Sequence, residues 1–365
     1  NAANRFMERR RQASLHVNQL KTPWDFSLER GDVDVNLQAD LRGEMQISAE
    51  LQQLHVAEAQ ITSASLLASG TRAAHRVTIS AKGKRQEQDL ALDAKLSGAL
   101  SEQGRWQGQI DTLSGKAWQP FALHSAMNLA LGSDEVHLGA GTLQLGQSVL
   151  QVQSVDWQAG RLTSSGQAQR IVVADWLAGR QDVASDLVLT GHWQIAQGAA
   201  INGEFNLQRV SGDVTWLGGG SPQPLQIKTL QVGAKIVHNQ TALQASLTSP
   251  RMGNMTISGQ AQLDAATWQP AAHTPLDLAL VSDLPDLSVF GPLISADLKL
   301  AGKAKLNVQR KAINDEVSLQ GAISGEGLQV RDAATGLRLQ DGVVDIVLNQ
   351  RQVRLQKLHF KGGKG

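Results

Sequence analysis

The segment Ser295–Arg310, SADLKLAGKAKLNVQR, decides the fold. Leu298, Leu300, Ala304, Leu306 and Val308 fall on one parity, and Asp297, Lys299, Lys303, Lys305 and Asn307 on the other. Successive side chains of a strand point to opposite faces, so this segment is a strand with one apolar and one wet side. Gly302 interrupts the apolar row, where a bulge or bend is expected.

The same alternation recurs on both sides of this segment. Upstream, Val33, Val35, Leu37, Ala39 and Leu41 share a parity, as do Leu90, Leu92, Ala94 and Leu96. Phe121, Leu123, Met127, Leu129 and Leu131 form another set, and Leu187, Leu189, Trp193 and Ile195 a further one. Downstream, Ile346 and Leu348 continue it. Gly, Asn, Asp or Ser turns separate roughly two dozen such strands. The gaps are too short for parallel crossovers, so sequential antiparallel pairing is expected. No fixed residue period marks a short-repeat solenoid. Residues 1–30 read as a short lead-in compatible with a helix. Residues 31–365 read as one elongated β body, with irregular interruptions near 171–183 and 264–292.

Composition fits a thin sheet better than several compact cores. Hydrophobic residues make up 41% of the 365, but aromatics only 4%, with no tyrosine. The net charge of +1, from 34 basic and 33 acidic residues, offers no electrostatic reason to bind nucleic acid. The absence of cysteine excludes a disulfide scaffold, a thiolate metal site and a cysteine nucleophile, and is compatible with an oxidising compartment. No apolar run is long enough to cross a bilayer as a helix. The polar start, NAANRFMERRRQ, is not a signal peptide, and the chain reads as a piece of a longer protein.

No catalytic constellation emerges, and the chain is not expected to be an enzyme or to hold a metal or cofactor. The histidines lack a paired helical ligand spacing, and there is no GxSxG elbow. Gly139–Gly141 and Gly325–Gly327 lie among strands and are turn or bulge glycines rather than phosphate cradles. The tryptophans fit sheet ends and local cores, with a headgroup-facing rim as the other reading. Arg9–Arg11 reads as a solvated face or an approach to an anionic surface.

Two dozen strands about 4.8 Å apart make a sheet on the order of 100 Å long. Its apolar face must be covered by a second sheet, closed into a barrel, or curled into a groove. A transmembrane barrel is disfavoured by the lack of aromatic girdles. Small inward residues such as Ala94, Ala245, Ala261 and Ala304 lean towards the groove over a filled sandwich.

Several phrases carry a family resemblance: GRWQGQIDTL at 104–113, GHWQI at 191–195, INGEFNLQRVSGDV at 201–214, DLSVFGPLISADLKLAGKAKL at 286–306 and the tail from 319 to 365. They resemble the TamB family, in the AsmA-like group of bacterial envelope proteins. The resemblance implies an open, elongated, taco-like groove with an apolar interior. It implies a periplasmic segment carrying phospholipid between inner and outer membranes and supporting outer-membrane biogenesis and protein assembly. It further implies an inner-membrane anchor helix, absent here, and an outer-membrane barrel partner of the TamA type. On that reading the aligned rows line the groove: Val33, Val35, Leu37, Leu90, Leu92, Leu96, Leu129, Leu187, Leu189, Leu298, Leu300, Leu306, Ile346 and Leu348. The alternative is a β-rich structural or adhesive protein with a closed core.

Overall fold

The structure is a computed structural model describing all residues except 1–9, 22–25, 39–41, 57–58, 87, 178, 219–220, 272–273, 314–315, 351 and 363–365. Arg9, Trp24, Ala39, Leu41 and His273 therefore lie outside the described residues. The fold is all-β: among the described residues 23 strands carry antiparallel main-sheet ladders, and three short strands form a small separate sheet. It divides into two compact units, Asn1–Gly166 and Gln167–Gly365.

The lead-in corrects one expectation. Arg10–Lys21 is a strand, not a helix. It pairs with Phe26–Gln38, placing Leu15 opposite Val33 and Ala13 opposite Val35. The alternation of Ala13, Leu15 and Val17 matches the next strand's apolar parity, and that pairing outweighs local helical tendency.

The first unit is a meander from Arg10–Lys21 through Phe26–Gln38, Glu44–Val56, Ala59–Thr71, Ala74–Arg85 and Gln88–Leu100 to Trp106–Lys116. Directly opposed residues share a face, so the register reads out both faces. One row runs Ala13, Val35, Ile47, Ala68, Val77, Leu96, Ile110, Met127. The next runs Leu15, Val33, Ala49, Leu66, Ile79, Ala94, Leu113. The opposite face carries His16, Asp32, Glu50, Ser65, Ser80, Asp93 and Ser114 in one row. The run Ala117–Leu131 is two short strands, Pro120–Leu123 and Met127–Leu131, both paired to Trp106–Lys116. The break leaves the apolar parity intact: Phe121 lies opposite Gly115, and Met127 opposite Ile110.

The second unit repeats the plan from Val188–Gln197 to Gln352–Gly362. Its apolar rows include Leu207, Val232, Ala245, Ile257, Leu280, Val308, Gly321, Leu348, Val353. Beside it runs Leu230, Leu247, Met255, Ser282, Leu306, Ile323, Ile346, Leu355. The other face bears a row rich in amides: His192, Asn206, Gly233, Gln244, Ser258, Ala279, Gln309, Gln320, Asn349, Gln352. The strand first read as Ser295–Arg310 spans Leu298–Ile313, and Gly302 bulges within it at φ 109°. The register slips between Ala301 and Lys303, and a Cβ on Gly302 would stand 2.8 Å from the Gly327 carbonyl oxygen. The stretch first read as irregular over 264–292 contains a full strand, Leu276–Leu284, paired on both sides.

Each unit is an open sheet. Arg10–Lys21 is paired along one edge only among the described residues, as is Gln352–Gly362. Among the described residues sixteen apolar side chains are buried, five of them alanines, far too few for a filled two-sheet sandwich of this length. Buried apolar side chains in the second unit include Ile201, Ala234 and Ile236 along its strands and a further group beside its helical turns. Next in sequence to the helical turns Val173–Trp176 and Gly291–Ile294 and the small sheet of Val183–Ser185, Val214–Trp216 and Gln223–Pro224, Leu187, Ile227 and Val289 are buried. The Trp216 indole N–H donates to the Pro292 carbonyl at 3.0 Å and ties the small sheet to the second helical turn.

Candidate functional site

The candidate site is a face rather than a pocket. In the first unit Val33, Val35, Leu37, Leu90, Leu92, Leu96 and Leu129 all project from the apolar side. Leu37 heads the row through Met45, Gly70, His75, Gly98 and Gly108 to Leu129. Leu92 lies opposite Ala81 and Gly115, and Leu90 opposite Gly83. In the second unit Leu306 and Ile346 occupy one row, and Leu348 the adjacent one. Leu300 pairs with Val330. Three predicted residues stand where the wall ends. Leu187 is 3% exposed in the group beside the helical turns, Leu189 faces Arg209, and Leu298 faces Asp332. Apart from Leu187 and Leu348, every predicted residue is half-buried, neither sealed in a core nor standing free.

Two residues missed in the sequence interrupt the first unit's wall. His75 is buried on the apolar face, and the Trp106 indole N–H donates to its Nε2 at 2.8 Å. Its Nδ1 lies 3.1 Å from the Thr71 carbonyl, so the neutral ring bears its proton on Nδ1. The indole lies over glycines: a Cβ on Gly98 would be 2.4 Å from its Cζ2. The signal was present, because His75 shares parity with Val77 and Ile79, and Trp106 with Gly108 and Ile110. In the second unit Ser282, flanked by Met255 and Leu306, buries a hydroxyl with no partner among the described residues.

Charge is concentrated on the other face. Asp32 accepts from His16 and Arg30, and these two bonds, His16 first, hold its carboxyl below the usual range. Asp156 is held low chiefly by its hydrogen bond with His137, with Ser154 and Thr163 assisting against desolvation. The described residues include no group of histidines and carboxylates placed to hold a metal ion. A shallow cavity of about 620 Å³ in the second unit is bordered by His192, Glu204, Asn206, Gln244 and Ser258, all on the polar face. No helix among the described residues is long and apolar enough to cross a membrane.

Three tryptophans serve as local ties. Trp216 and Trp106 are bonded as described, and the Trp268 indole N–H donates to Gln197 Oε1 at 3.1 Å. Trp118, Trp157 and Trp176 are exposed.

An open antiparallel sheet with one half-covered apolar face and one polar face defines an amphipathic-sheet protein, in which a surface takes the place of an active-site cleft. Residues 7–309 match the family model described as TamB, N-terminal domain, and the chain belongs to the TamB family. No curated protein and no solved structure matches it.

Proposed function

We propose that the apolar face is the wall of an open trough that carries phospholipid acyl chains, as a periplasmic segment of a bridge between inner and outer membranes. The observation that carries this reading is the run of shared apolar rows within each unit, half-buried rather than sealed, with the small sheet of Val183–Ser185, Val214–Trp216 and Gln223–Pro224 the one further sheet among the described residues. A closed structural core would bury those same residues. Moving an acyl chain through water costs about 0.8 kcal/mol per exposed CH₂, and contact with such a wall offsets that cost. Headgroups remain at the wet opening. Binding is weak and similar along the rows, because a deep site would trap the cargo. No catalytic step or cofactor enters the reading. Family membership supports a role in outer-membrane biogenesis and protein assembly, with a TamA-type barrel as partner and an anchor in the inner membrane.

The test is in-cell photocrosslinking followed by mass spectrometry of captured lipid. Crosslinkers at Leu92, Leu306 and Ile346 are expected to capture phospholipid, while those at Ser80 and Asn307, on the opposite face, are not. Capture confined to the opposite face rejects the trough.

A further inference from the structure

The apolar face of the second unit carries charge at few places among the described residues, and the surroundings of each differ. Arg209 donates to the carbonyls of Gly212 and Lys228, so its guanidinium is committed to the backbone. Asp332 accepts from the Ala334 N–H and the Thr335 hydroxyl in its own turn. Arg310 differs from both. It lies opposite Leu278 on one side and Leu319 on the other, and Gly259 follows Leu278 in the same row. Along its own strand the residues of the same face are Val308 and the buried Ala312. Arg310 is half-buried, and its guanidinium has no hydrogen-bond or ion-pair partner among the described residues.

An arginine in such a setting lays its methylene stem along apolar neighbours and keeps its charge at the wet margin. Guanidinium is permanently charged, and its planar fork matches phosphate oxygens in a bidentate manner. The ligand that complements both halves is an amphiphile with apolar chains on the wall and an anionic phosphate at the margin. We infer that Arg310 is a headgroup anchor, binding the phosphate of a diacyl lipid whose chains lie against Leu278 and Leu319. This rests on the trough reading and adds a fixed station to an otherwise uniform wall. Only one cation is involved, so the station slows cargo without capturing it permanently.

The experiment titrates the chain with three soluble probes below their aggregation thresholds: dihexanoyl phosphatidylglycerol, uncharged dihexanoylglycerol, and glycerol 3-phosphate. Arg310→Gln and Arg310→Lys are compared with the parent after circular dichroism verifies folding. The parent is expected to bind the phosphate lipid about tenfold more tightly than the uncharged one, the scale of one charge-assisted hydrogen-bonded contact. Arg310→Gln should erase that difference, and Arg310→Lys should keep part of it. If the two acyl probes bind the parent equally, or Arg310→Gln changes nothing, the anchor is rejected and the trough stands. Binding of glycerol 3-phosphate as tight as that of the lipid makes Arg310 a free-anion site and also rejects the anchor. Should neither acyl probe bind the parent, the trough reading falls and the anchor with it.

Discussion

Trp106 Nε1 donates to His75 Nε2 across 2.8 Å, joining residues 31 apart in sequence on the apolar face of the first unit. Removing the donor leaves a buried acceptor unsatisfied. Trp106→Phe is therefore expected to lower unfolding stability by about 1–3 kcal/mol, read from denaturant titrations. His75→Leu combined with Trp106→Phe removes both polar partners, and its cost should fall short of the sum of the single costs. Strict additivity would show that the bond contributes nothing.

Ser282 presents the converse case. Its hydroxyl is buried between Met255 and Leu306 in the apolar row, with no partner among the described residues. Replacing an unsatisfied buried hydroxyl by hydrogen removes a desolvation penalty while deleting a single atom. Ser282→Ala should stabilise the chain by about 1 kcal/mol, seen as a higher midpoint with an unchanged denaturant slope. A loss of comparable size would mean that the hydroxyl has a partner, such as an ordered water.

Most of the sheet could be read from alternation alone, because a one-residue slip would move every apolar side chain to the wet face. The Gly302 bulge was legible for the same reason: a residue without a side chain broke an otherwise strict row. The first strand was missed because charges around Phe6 and Met7 obscured the parity of Ala13, Leu15 and Val17, which acquires meaning only opposite Val35, Val33 and Gly31. Strand Leu276–Leu284 hid behind Pro270 and Pro275, which precede it without entering its ladder. On the candidate face, leucine rows announced themselves. His75 and Arg310 did not, since a polar residue on an apolar parity looks like an irregularity until register places it among its neighbours. Leu187 illustrates the opposite limit. Its parity is correct, but it is buried where the backbone meets the helical turn at Val173–Trp176: the Val173 N–H donates to the Leu187 carbonyl at 3.0 Å.

On the polar face, Asp156 supplies a pH signature. Its hydrogen bond with His137 holds the carboxylate below its ordinary value of 3.8. A carboxylate depressed in the folded state gives stability that is complete above its unfolded pKa. That contribution is lost as pH falls through the lower, folded value. Carboxyl NMR should place the Asp156 midpoint below that of an unperturbed aspartate, and His137→Ala should move it upward. An unmoved midpoint would assign the depression to Ser154 and Thr163 instead.

The sharpest functional prediction concerns Leu306, which lies between Ser282 and Ile323 on the apolar face, while Asn307 points the other way. Leu306→Arg places a charge in the middle of the wall, and an acyl chain passing it must either contact guanidinium or leave the wall for water. Loss of contact over a few CH₂ groups raises the barrier by about 2–3 kcal/mol, enough to slow passage roughly fiftyfold. Because the residue is half-buried in an open sheet, the arginine can lean outward and the chain should still fold. Asn307→Arg adds the same charge to the polar face and serves as control. Radiolabelled phospholipid reaching the outer membrane in cells carrying each variant as the sole copy is the measurement. Leu306→Arg should reduce it severely and Asn307→Arg should not. Equal transfer by both variants, each present at parental levels, would mean that lipid does not travel along this face.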